Sequence, residues 1–104
     1  MRRVLLRIRR PRLDPTGDAH DEREQRWSDA GTIRAWMKQR QGGERITPAG
    51  MLRAHMWTVR FTAPRRLTDL PQEGWRLRAE DGTEYAIRDA IYTGRTARMT
   101  VERV

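Results

Sequence analysis

The chain has no cysteine, so it can build neither a disulfide framework nor a thiolate metal site, and thiol redox chemistry is excluded. That fits a soluble protein of a reducing compartment. Long apolar runs are also missing: the longest are only a few residues, far short of the roughly 20 that span a bilayer. Near the N-terminus, Arg2, Arg3, Arg7, Arg9 and Arg10 interrupt Val4, Leu5, Leu6 and Ile8 too often for a signal-peptide core, and the segment reads as a strand. The groups that carry catalysis are sparse. Ser28 is the single serine, and the two histidines, His20 and His55, stand far apart with no nucleophile signature beside either, so both read as polar surface. Asp18, Asp21, Glu22 and Glu24 cluster, but they lack the calcium-loop spacing with its glycine and bidentate glutamate, and so predict a solvated acidic loop. Gln41-Gly42-Gly43 is not followed by Lys-Ser or Lys-Thr, and no GxGxxG is present to cradle a phosphate. These absences predict a protein that is not an enzyme, with no catalytic residue, no metal and no cofactor.

What the chain has in excess is positive charge, +8 over 104 residues, a length that suits one domain spanning residues 1–104. The charge is unevenly placed: +6 over residues 1–12, −4 over 14–29, +7 over 34–66 and −1 over 69–104. A positive region of this kind attracts phosphates or an acidic protein face at long range, and salt screens it. Of the 22 basic residues 21 are arginine, a ratio that coding composition explains more simply than bidentate recognition does.

The clearest structural signal is Trp75 to Val104, which reads as a three-stranded antiparallel meander. Trp75, Leu77 and Ala79 alternate with arginines; Asp81-Gly82 supplies a hairpin turn; and Tyr85, Ile87 and Asp89 alternate with Ala86, Arg88 and Ala90. After a second turn at Thr93-Gly94-Arg95, Met99 and Val101 share one face. Upstream, three more period-two segments predict strands: Val4, Leu6 and Ile8; Ile33, Ala35 and Met37, alternating with Arg34, Trp36 and Lys38; and Trp57, Val59 and Phe61. Two loops, about residues 11–26 and 39–50, read as long and flexible. Between the second and third of these upstream strands, Thr47-Pro48 resembles an N-cap followed by a first-turn proline, and Ile46, Ala49 and Leu52 have near-helical spacing. One short helix from Pro48 to about Ala54 is therefore expected, weakened by Gly50. The sum is a mainly β protein: a small antiparallel barrel of about six strands with one short helix, closed so that strand edges are not exposed. Trp57, Val59, Phe61, Leu77, Tyr85, Ile87, Met99 and Val101 are expected to form most of its core. Trp57 and Phe61 lie among basic residues, yet a stacking platform for nucleic acid needs an aromatic exposed beside its cations, so these two read as core.

The order of features resembles the phage head–tail joining family, the small head-closure or stopper proteins between portal and tail. The matching stretches are VLLRIRR, the polar loop into Trp27, TIRAWM, GGERITPAGMLRAH, WTVRF, RLRAEDGTEYAIRDA and RMTVERV, which together cover nearly the whole chain. The resemblance implies a structural virion protein, made in the bacterial cytoplasm, that assembles as a ring under the portal and its adaptor. It implies closure of the DNA channel and a docking surface for the tail, with DNA passing through and no sequence-specific binding or membrane partner. The acidic residues Asp18, Asp21 and Glu22 and the basic pair Arg40 and Arg45, on the two loops, are then the expected contact residues, since ring interfaces need complementary patches on one protomer. The alternative is a small basic β-barrel module that binds nucleic acid.

Overall fold

A computed structural model describes residues 2–12, 26–39, 44–47, 50–53 and 56–104. These residues form eight strands: β1 (Arg2–Pro11), β2 (Trp27–Gln39), β3 (Glu44–Thr47), β4 (Gly50–Arg53), β5 (Met56–Thr62), β6 (Arg76–Ala79), β7 (Glu84–Thr93) and β8 (Thr96–Arg103). Six of them close an antiparallel barrel in the order β1-β2-β5-β8-β7-β6, while β3 and β4 form a separate two-stranded sheet. Closure comes from β6, which bonds β7 through Arg76 to Arg78 on one side and β1 through Leu6 to Arg9 on the other. The ladder thereby returns on itself and leaves few strand edges as templates for other chains.

The expected helix is not formed among the described residues. Gly50–Arg53 is a strand whose partners are Glu44–Thr47, in the register Glu44↔Arg53 to Thr47↔Gly50. A helix of about seven residues lies below the length at which helix formation repays its nucleation, and Gly50 weakens it further. The same backbone groups are satisfied by cross-strand pairing instead. Pro48, Ala49 and Ala54 lie outside the described residues, as does most of the expected 11–26 loop; Pro11 belongs to β1, and the 39–50 loop contains β3.

Alternation on each strand fills the barrel. Leu6 and Ile8 from β1, Ile33, Ala35 and Met37 from β2, Val59 and Phe61 from β5, Leu77 from β6, Ile87 from β7, and Ala97, Met99 and Val101 from β8 are all buried. Trp57 and Tyr85 are half-buried at one end, in edge-to-face contact at 5.2 Å.

Two bulges change the phase of this alternation. Between Arg7 and Arg9, β1 advances two residues while β2 moves three, from Thr32 to Asp29. The extra residue falls at Ala30-Gly31, where Gly31 adopts φ +112°. Between Ile87 and Asp89, β7 advances two while β8 moves one, which makes Arg88 the extra residue. Beyond that point the inward positions of β7 become Ala90 and Tyr92, and Ile91 turns outward, 60% exposed.

The segment from Ala63 to Trp75 closes the other end of the barrel. Within it, Arg65 to Gly74 reads as a polar connection by composition, yet Leu67 and Pro71 are buried there, as are Ala63 and Trp75 on either side. Arg95, in the β7–β8 turn, donates to the carbonyls of Ala63 (3.0 Å), Pro64 and Leu67 (2.8 Å), and the Tyr92 hydroxyl donates to the Pro71 carbonyl. Phe61 meets Tyr92 edge-to-face at 6.3 Å.

Candidate functional site

The most distinctive surface lies on the outside of β1, β2, β5 and β8. Residues directly opposite one another in a sheet share a face, with neighbouring strands about 4.8 Å apart. Reading the registers across, Arg3 stands opposite Trp36, Trp36 opposite Arg60, Arg60 opposite Arg98, and Arg98 opposite Ile91. All five are exposed, Trp36 by 46%. Along β2, Arg34 and Lys38 flank Trp36 at the positions two before and two after it, so they share its face, and both are exposed. An indole is thus bordered by cations along its own strand and on both neighbouring strands. Arg3, Arg34, Lys38, Arg60 and Arg98 make no ion pair among the described residues.

The remaining charges on the barrel are mostly committed. Glu84 accepts from Arg78 (2.6 Å) and Arg76 (3.1 Å), and the Arg76 guanidinium lies 4.6 Å from the centre of the Trp27 ring. Burial alone would push the Glu84 carboxyl up, but the hydrogen bonds from Arg78 and Arg76 outweigh it and hold the group below the usual glutamate range. Asp29 takes Arg9 at 2.8 Å, Asp69 takes Arg10, and Glu102 takes Arg88 at 2.8 Å. Burial raises the Tyr85 hydroxyl and pushes that of Tyr92 up to about 12, so both remain neutral donors.

Of the contact residues expected from sequence, Asp18, Asp21, Glu22 and Arg40 lie outside the described residues. Arg45 is in strand β3, opposite Leu52, rather than in a loop. Of the expected core residues, Val59, Phe61, Leu77, Ile87, Met99 and Val101 are buried, and Trp57 and Tyr85 are half-buried against them. The Trp36 face was not expected, although its signal is present in the sequence: Trp36 alternates with Arg34 and Lys38 on the polar phase of β2, opposite Ile33, Ala35 and Met37. Among the described residues, no group of His, Cys, Asp or Glu is arranged to hold a metal ion, and no helix is long and apolar enough to cross a membrane. A concavity of about 180 Å³ lies beside Leu5, Arg7, Thr32, Arg78 and Glu80.

No protein-family model matches the chain, and no curated protein sequence is significantly similar to it.

Proposed function

We propose that the chain is a non-enzymatic connector component of a tailed phage or prophage, assembling as a ring under the portal and its adaptor, closing the DNA channel and docking the tail. The observation that carries this reading is the division of labour in the fold: a barrel that closes on itself, with a separate two-stranded unit, β3–β4, inserted between two of its strands. A lone pair of four-residue strands is marginal in water and gains stability by lying on a partner. An inserted pair of this kind suits a contact between subunits, while the closed barrel keeps its backbone out of uncontrolled edge pairing. The order of segments from VLLRIRR to RMTVERV, similar to the head–tail joining family, points the same way.

Electron microscopy of lysates from a phage or prophage with this gene deleted tests the proposal. Emptied heads and finished but separate tails are the expected outcome; intact joined particles would refute it. Within the same assay, exchanging Arg40 and Arg45 together for Glu is expected to abolish joining while the purified chain keeps its β-rich circular dichroism. Loss of the fold would instead give the segment a structural role.

A further inference from the structure

The exposed indole among cations that form no ion pair with the described residues invites a ligand that is at once anionic and aromatic. We propose that the outer face of β1, β2, β5 and β8 binds single-stranded nucleic acid, one base stacking on Trp36 while phosphates meet Arg3, Arg34, Lys38, Arg60 and Arg98. The proposal stands on this face alone and is independent of the connector reading.

Three observations carry it. First, the row Arg3–Trp36–Arg60–Arg98 contains no acid; of the carboxylates on its four strands and on β7, Asp29 is held by Arg9, Glu84 by Arg76 and Arg78, and Glu102 by Arg88, while Asp89 stands opposite Thr100, two residues along β8 from Arg98. Second, Trp36 is exposed in the midst of its cations, the condition that a stacking platform requires and that Trp57 and Phe61, turned toward the core, do not meet. Third, the strand spacing sets Arg3 and Arg60 about 9.6 Å apart on either side of the indole, with Arg98 about 4.8 Å further on. A base lying on Trp36 therefore has a guanidinium on both sides for the phosphates that flank it. An acidic protein surface would satisfy the cations but has no need of a flat ring at their centre, and duplex DNA keeps its base faces stacked away from the indole.

Fluorescence anisotropy of a labelled oligothymidine with the purified chain tests this across a salt series. With five phosphate contacts, the logarithm of the binding constant is expected to fall with the logarithm of salt at a slope of about 3.5, since each contact on a single strand contributes about 0.7. Trp36→Ala should weaken binding about 5- to 150-fold at constant salt with little change in slope, and Trp36→Phe should recover part of the loss. Arg60→Gln with Arg98→Gln should lower the slope by about 1.4. Unfolding of a variant is monitored by circular dichroism, and the glutamine pair provides a second readout that does not depend on Trp36. The proposal is overturned if the oligonucleotide does not bind, if duplex binds as tightly and Trp36→Ala is neutral, or if polyglutamate competes as well as unlabelled oligothymidine. The last result would redirect the face to an acidic protein. None of these outcomes bears on whether deletion of the gene separates heads from tails.

Discussion

At the scale of single residues, stability concentrates where a side chain answers a backbone need. Gly31 combines φ +112° with an approach that would bring an added Cβ within 2.8 Å of Leu67 Cδ1. Gly31→Ala should therefore cost on the order of 3 kcal/mol, part backbone strain and part overpacking, read as a lower urea midpoint with an unchanged slope. Arg95 satisfies three carbonyls of the closing segment, so Arg95→Ala should cost about 2 kcal/mol, whereas truncating the exposed Arg66 should cost less than about 0.5. Glu84 adds a pH dependence. Its folded-state carboxyl titrates below the unfolded value near 4.5, so its contribution is complete above that pH and is lost as pH falls through the depressed folded value. Thermal melts from neutral pH down to about 3 should show a steeper loss for the native chain than for Glu84→Gln.

At the scale of elements, period-two alternation was legible wherever the pairing is regular. Leu6 and Ile8, Val59 and Phe61, and Met99 and Val101 lie on the phases that their sequence indicates. The bulges were not legible, because an extra residue changes the phase without changing the composition. Strict alternation in β7 carries Asp89 onto the Ile87 face; the bulge at Arg88 turns Asp89 and Ile91 outward and sets Ala90 and Tyr92 against the core. Deleting Arg88, the extra residue, should leave Asp89 opposite Thr100 and Ala90 opposite Met99 in regular alternation and keep unfolding cooperative, while Arg88→Ala, losing only a surface ion pair with Glu102, should cost less than about 1 kcal/mol. The β3–β4 pair was missed for a different reason. Ile46, Ala49 and Leu52 fit a helix as well as a strand in so short a segment, and Thr47-Pro48 suits a turn as readily as a helix start.

At the scale of the whole molecule, barrel closure separates two kinds of surface. Backbone pairing is consumed internally, so association falls to side chains and to the inserted strand pair. The Trp36 row illustrates how much of a surface lies outside single-strand reading: Arg3, Trp36, Arg60 and Arg98 are distant in sequence and become neighbours only through the registers of four strands. The barrel was foreseeable from six alternating segments and their turns; which outward residues meet was not. Replacing residues 44–53 by a short Gly-Ser linker should leave the barrel folded, since the β3–β4 pair shares no ladder with it, and should remove connector activity. The most direct test of the connector account adds purified native chain to an extract containing the separate heads and tails of the deletion mutant and counts infectious particles. The account predicts that native chain restores the titre and that the linker variant does not; a titre unmoved by folded native chain would contradict it.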